Sequence, residues 1–315
     1  MNKKTLQGIF LLLITATVWG VAFVAQSVGM DHLNAFAFNC IRNAIGVVVL
    51  LPVLFVIRQR NRKTNSASSN DTSVGAAAIS NGQNRLFTKD LVLGGLVCGV
   101  ALCIASNFQQ MGIEHSTVGK SAFITTLYIV LVPILGLFLK KKVSLQIWIS
   151  VILAMIGLFL LCLKNESFVL GIGDIYLILC AFFFTLQIMS VDYFVKKVDG
   201  VALSIMQFAV TAILSGVGML FTEIPTWSDI TASAIPLLYA GGISCGVGYT
   251  LQIIGQKHVP APVASLIMSL ESVIAALAGW VILHEVLSEK ELIGCGLVFA
   301  AVILTQLPFG KKAQE

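Results

Sequence analysis

Charged residues are scarce in this sequence. Only 11% of its 315 residues are Asp, Glu, Lys or Arg, where soluble domains carry about 25%. With 57% of the chain hydrophobic, there is too little charge to cover a surface that faces water, and a soluble globular domain is excluded. Short signatures of chemistry are missing as well. No GxxxxGK[ST] occurs, so the chain has no phosphate-cradling loop for ATP. No HExxH is found. No two cysteines form a CxxC pair. All seven (Cys40, Cys98, Cys103, Cys162, Cys180, Cys245, Cys295) lie inside apolar segments, as small core residues do. The four histidines, His32, His115, His258 and His284, sit at the ends of apolar runs or in loops. These absences leave no candidate catalytic residue, no metal site and no cofactor. Nor does the net charge of +5 point to nucleic acid, because the basic residues form short clusters between apolar runs, where topology signals sit.

What the chain has instead is long apolar runs. Ten of them, 5–27, 35–57, 89–112, 117–139, 145–163, 172–192, 201–222, 232–256, 261–283 and 290–309, are long enough to cross a bilayer as helices. The first follows Lys3 and Lys4 and is too long for a signal-peptide core, so it reads as an uncleaved span. Residues 58–88 begin RQRNRK and continue TNSASSNDTSVGAAAISNGQN, a composition that predicts a disordered loop. With the N-terminus in the cytoplasm, sixteen of the twenty Lys and Arg residues fall on the cytoplasmic side. Only Lys164 and Lys290 fall outside, and Arg42 and Lys120 lie within spans. That bias predicts a multi-pass protein of a bacterial cytoplasmic membrane with both termini and the 58–88 loop inside.

The chain also resembles itself. A shift of 143 residues brings Gln109 onto Gln252, Gly112 onto Gly255, His115 onto His258, Ile124 onto Ile267, Leu127 onto Leu270, Val130 onto Val273 and Gly136 onto Gly279. The register holds across two spans. Halving the chain at 1–163 and 164–315 gives five spans per half, an odd number, so the halves must insert in opposite senses. Inverted repeats of this kind are a transporter signature and place the substrate site near the midplane.

Four stretches then carry a resemblance. WGVAFVAQ in span 1, Arg42 within FNCIRNAIG in span 2, GIEHSTVGKSAFITTLYIVLVPILG in spans 3 and 4, and LESVIAALAGWVILHEVLS in span 9 resemble EamA-type members of the drug/metabolite transporter superfamily. The resemblance covers nearly the whole chain. It implies ten helices in two inverted five-helix repeats, a central cavity, and movement of small metabolites, often outward. Pro133 keeps a proline that the family has in span 4, whereas Ser272 stands where the family often has Pro after the span 9 glutamate. The 58–88 insertion is longer than the family's usual loop.

Polar residues inside the spans are the candidate cavity. Glu271 lies near the middle of span 9, where a charge costs about 2.5–3.5 kcal/mol. Holding an ordinary carboxyl neutral at pH 7 costs a similar amount, roughly 3.7 kcal/mol. Glu271 is therefore either neutral or paired, as a proton carrier or as a static fastener between helices. Arg42 cannot lose its charge and must face a cavity, an acid or an anionic ligand. It sits roughly 10 Å from the outer face and Glu271 roughly 15 Å from the inner one, close enough in depth to pair. Asn39 and Asn43 extend the polar sector around Arg42. Lys120 either snorkels to the outer interface or faces the cavity. Ser121, Thr125 and Tyr128 form a stripe in span 4, and Ser265, Ser269 and Ser272 a similar one in span 9. Asn107 and Gln110 near the end of span 3 mirror Tyr249, Gln252 and Gln256 near the end of span 8. Gln187 and Gln207 add amides in spans 6 and 7, and Trp19 lies too deep in span 1 for the interfacial belt. Each lines a cavity or fastens helices. Gly95/Gly99 and Gly242/Gly246 read as close-packing pairs.

The function these features favour is a secondary transporter for a small, amino acid-like or other polar or amphipathic metabolite. Export is the expected direction, with Glu271 as the group for proton coupling. It would work in contact with membrane lipid, as a monomer or homodimer. An intramembrane enzyme or a sensor of a small lipophilic molecule is the alternative. Single cysteines test the topology. In a cysteine-free background, a membrane-impermeant maleimide is expected to label Ser167→Cys in intact cells and Ser68→Cys only after the membrane is opened. The reverse pattern overturns the orientation.

Overall fold

Hydrocarbon offers no partner to a backbone N–H or C=O, so a chain that crosses it must satisfy those groups within its own segments. A computed structural model, which describes residues 2–68, 88–116, 118–162, 171–222, 224–282 and 288–307, meets this with helices, and no strand occurs among the described residues. In order they are α1 (Lys3–Gly29), α2 (Ala35–Ser68), α3 (Lys89–Glu114), α4 (Val118–Thr125), α5 (Tyr128–Phe138), α6 (Leu145–Cys162), α7 (Ile172–Phe194) and α8 (Gly200–Phe221). The short α9 (Trp227–Ala232) and α10 (Ala234–Leu238) lead into a π-helix, Tyr239–Tyr249, and α11 (Thr250–Gln256). The chain ends with α12 (Ala261–Met268), α13 (Leu270–Ile282) and α14 (Glu289–Gln306). Among the described residues eight helical stretches are long and apolar enough to cross a membrane, and Leu145–Leu161 is a shorter apolar helix. The tenth expected span is α14, whose first turn carries Glu289, Lys290 and Glu291. The protein is an all-helical, multi-pass membrane protein.

One expectation changes at α2. Its backbone stays helical to Ser68, so residues 58–68 are not the disordered chain their composition predicts. A helix already nucleated in the membrane extends through Arg, Gln and Lys at little cost. The rest of the loop, 69–87, lies outside the described residues.

Two spans are broken at matching places. Span 4 divides into α4 and α5 at Thr126–Leu127, and span 9 into α12 and α13 at Ser269. Around the first break Leu127, Ile129 and Val130 donate to carbonyls three residues back rather than four. At the second, Ser272 does the same to Ser269, and the hydroxyls of Ser265 and Ser269 bond the carbonyls of Pro262 and Leu266. Such back-bonding bends helices, so serines loosen span 9 without the family's proline.

Small residues set the helix contacts. Gly95 and Gly99 press α3 onto Met206, Gln207 and Val210 of α8, as a small-xxx-small pair should. Gly242 does not behave this way. A Cβ there would meet nothing within 4 Å, whereas Gly241 and Gly246 abut Ile45 and Val49 of α2. The π-helix explains the change, because i to i+5 bonding puts positions five apart on one face. The α3 residues that the 143-residue shift aligns with this segment, 96–106, are ordinary α-helix.

Along α6 and α14 the backbones themselves touch. A Cβ on Gly157 would lie 2.8 Å from the carbonyl oxygen of Gly294, and one on Gly294 would lie 2.6 Å from that of Gly157. Two residues away, Gly296 faces open space. Gly294→Ala is therefore expected to destabilise the protein by about 1–3 kcal/mol through overpacking. Gly296→Ala should be neutral or stabilising by up to about 1 kcal/mol. Thermal unfolding in detergent compares them, and equal effects would show that the helices do not approach this closely.

Candidate functional site

Outward-facing side chains such as Phe55, Phe138, Ile213 and Phe221 are apolar, while Asn39, Arg42, Gln187, Gln207, Gln252 and Glu271 are buried. Polar groups inside a membrane protein cost free energy and mark function. A cavity gathers several of them. It is lined by Trp19, Ala22, Phe23 and Gln26 of α1, Arg42 of α2, Gln109 of α3, Thr125 of α4 and Tyr128 of α5. Phe184, Gln187 and Ile188 of α7, Ser244 and Tyr249 of the π-helix, Gln252 of α11 and Glu271 of α13 complete it.

The two broken helices meet at this cavity. Tyr128 opens α5 and Glu271 stands in the first turn of α13. The Tyr128 hydroxyl donates to Glu271 Oε1 at 2.9 Å, across 143 residues of sequence. Beside it the hydroxyls of Thr126 and Ser272 share a bond of 2.9 Å. A carboxylate in the first turn of a helix is favoured by the unpaired N–H groups there.

Arg42 occupies another part of the wall. Its Nη1 donates to Gln26 Oε1 at 2.7 Å, and its guanidinium lies 5.7 Å from the centroid of the Phe38 ring. Among the described residues no acid pairs with it. Its Nε is buried without an acceptor, as is the Trp19 indole Nε1. Aromatic rings supply much of the remaining surface. Trp19 packs on Tyr249 with centroids 4.5 Å apart, and Tyr249 packs edge-on to Phe208 at 5.8 Å. Gln252 donates to Gln187, and Gln187 to Gln207, each at 3.3 Å. Among the described residues no three His, Cys, Asp or Glu side chains gather into a group that would hold a metal ion.

Comparison with known proteins agrees with this architecture. The profile of the EamA-like transporter family matches residues 6–163 and 171–307. The chain belongs to the EamA-like transporter family. A protein of Archaeoglobus fulgidus described as an uncharacterized transporter is 28% identical over 298 residues, covering 94% of this chain and 84% of the relative. The uncharacterized transporter YoaV of Bacillus subtilis is 19% identical over 300 residues, covering 94% and 95%. A solved crystal structure shares the fold with a TM-score of 0.71 at 14% identity, covering 97% of this chain and 99% of that one.

Within this EamA-like chain the residues picked out by sequence divide. Trp19, Arg42, Tyr128, Gln187, Gln252 and Glu271 line the cavity. The others except Asn43, whose bond stays within α2, fasten helices around it. Asn39 donates to Ser106 O (3.0 Å) and Asn107 Oδ1 (3.1 Å), and Asn43 to Asn39 O (2.7 Å). Asn107 donates to Cys103 O (2.8 Å) and to Ser215 Oγ (2.9 Å), and Gln110 to Gln26 O (3.0 Å). Gln207 accepts from Gln187. Lys120 does not line the cavity: its Nζ pairs with Asp174 Oδ2 of α7 at 2.8 Å. Arg42 and Glu271, close enough in depth to pair, do not. Gln26 takes the guanidinium and Tyr128 takes the carboxyl.

Gln26 was not among the sequence candidates, nor were Ala22, Phe23, Phe184, Ile188 and Ser244. A signal existed for α1, since Trp19, Ala22, Phe23 and Gln26 follow the i, i+3, i+4, i+7 spacing of one helix face. The site generates a test. Tyr128→Phe removes the donor to Glu271, and losing a buried bond to a charged group costs about 1–3 kcal/mol. A lowered melting temperature in detergent is expected, and an unchanged one would mean that the bond contributes nothing.

Proposed function

We propose that the protein is a secondary transporter that exports a small polar or amphipathic metabolite, amino acid-like in size, by alternating access across a bacterial cytoplasmic membrane. In this reading ten helices form two inverted five-helix repeats, with both termini in the cytoplasm, and the cavity is the substrate site. The observation that carries it is the bond between Tyr128 and Glu271, which occupy the same position in the 143-residue register and meet at the breaks of spans 4 and 9. Two equivalent positions that touch each other lie on the axis relating two halves. The flanking contacts agree. Gly8 of α1 abuts Gly255 of α11, while Gly112 of α3 abuts Gly173 of α7, so spans 1 and 8 pack as spans 6 and 3 do. Broken helices at a midplane site are a recurring transporter feature. An intramembrane enzyme would need converging nucleophiles or paired acids, and the cavity wall holds a single carboxyl and no histidine or cysteine.

Glu271 is the coupling group in this reading. Ionised, it accepts from Tyr128 and attracts a cationic group on the substrate. Protonated, it crosses a dry intermediate at lower cost. A comparison of metabolites inside and outside cells with and without the protein identifies the substrate, which is then followed in proteoliposomes. Glu271→Gln is expected to abolish accumulation driven by a pH gradient while substrate-for-substrate exchange continues, since exchange moves no net proton. A mutant that accumulates substrate like wild type, with unchanged pH dependence, rules out the proton role. Loss of both modes together with thermal stability makes Glu271 a structural fastener.

A further inference from the structure

We infer that Arg42 is the specificity-determining residue of the cavity and that it selects a substrate bearing a single carboxylate attached to an apolar body. The inference rests on the cavity being the substrate site. Arg42 is only 3% exposed, lines the cavity and has no acid within ion-pairing distance among the described residues. A permanently charged guanidinium held this way asks for an anion. Its hydrogen bonding says where the anion goes. Nη1 is taken by Gln26 at 2.7 Å, whereas Nε is buried with no acceptor. The Nε edge of a guanidinium presents Nε–H and one Nη2–H in parallel, a spacing that matches the two oxygens of a carboxylate. The indole N–H of Trp19, on the same cavity wall, is a second donor without an acceptor.

Charge balance narrows the anion. Arg42 is the one cationic side chain on the wall, and Glu271 is the one acid. A phosphate monoester brings about 1.5–2 negative charges at neutral pH and would leave the excess beside Glu271. A carboxylate cancels Arg42 alone. The wall also carries the rings of Trp19, Phe23, Phe184 and Tyr249 beside uncharged amides, which gives an apolar body surface to pack on and a second anionic arm no cation to meet.

The test is a binding measurement and needs no transport. Purified protein in detergent is titrated with L-leucine, L-phenylalanine, isovalerate and phenylacetate. Each is paired with its carboxamide, and isoamyl phosphate is included. Thermal shift and quenching of intrinsic tryptophan fluorescence report binding. At least one acid is expected to bind about tenfold or more tightly than its amide, the increment of a charge-assisted hydrogen bond, and isoamyl phosphate more weakly than the acids. Arg42→Gln should erase that preference. If Arg42→Gln does not fold, Arg42→Lys carries the test, since a single ammonium replaces two parallel donors and acid binding should weaken severalfold. Equal binding of acid and amide, no binding of any acid, tighter binding of the phosphate, or an acid preference that survives Arg42→Gln overturns the inference. Failure of the transporter reading looks different: acids would bind through Arg42 yet none would cross proteoliposome membranes.

Discussion

The hydrocarbon around this chain gives its polar groups nothing to bond with, and the interior is arranged accordingly. Every amide or charge placed between the helices must find its partner in the protein or in something the protein carries. Asn39, Asn107 and Gln110 find theirs on neighbouring helices and tie α1, α2, α3 and α8 together, while Asn43 bonds its own helix. Lys120 finds Asp174, joining α4 to α7 near one end, while Lys141 and Asp192 join spans 4 and 6 near the other. Not every polar atom is matched. Asn39, Gln110 and Gln207 each keep one buried atom open among the helix contacts, and Arg42, Trp19 and Gln252 keep theirs on the wall of one cavity. Of these only Arg42 carries a permanent charge.

The same constraint shapes the helices that move least like rods. A π-helix and two mid-span breaks each leave backbone groups without their usual partners four residues away. All three lie against the cavity or the helices around it, where side chains and neighbouring turns take up the slack. The serine hydroxyls of α12 do this for span 9, and Pro133 accompanies the break in span 4. The second half carries a π-helix where the aligned part of the first half is α-helical. On the proposed repeat, the halves are alike in register and unlike in winding.

Apolar run length made the helices legible, because a membrane punishes a span that is too short or too polar. The cavity was half legible. A charge or an indole deep in a span has few bland explanations, and Glu271, Arg42 and Trp19 stood out for that reason. Amides did not, since an asparagine that bonds a neighbouring backbone and a glutamine that faces a cavity look alike in sequence. Asn39 and Gln252 turned out to be one of each. Gln26 escaped notice although its spacing from Trp19 puts both on one helix face. The winding of span 8 left no sequence signal beyond its glycines, and reading Gly242/Gly246 as an α-helical pair followed from assuming the commoner helix. The helical start of the 58–88 segment was missed because composition reports average behaviour, while a helix entering from the membrane needs no nucleus of its own.

Depth alone suggested that Arg42 and Glu271 would neutralise each other, and their separation changes what the cavity can do. A buried Arg–Glu pair is strongly destabilised by losing one partner, so a pair joined at rest would resist any step that protonates the acid. Held apart, with Glu271 on Tyr128 and Arg42 on Gln26, neither group has to break the other's contacts before the proposed proton exchange or anion binding. The cost is a guanidinium left without a counter-charge, about 2.5–3.5 kcal/mol for a charge at the membrane centre on insertion scales. That cost falls when an anion arrives, and it returns when the anion leaves. An empty cavity is therefore the less comfortable state, and a carrier that changes access more readily when loaded than when empty needs a difference of that sign between its two conditions.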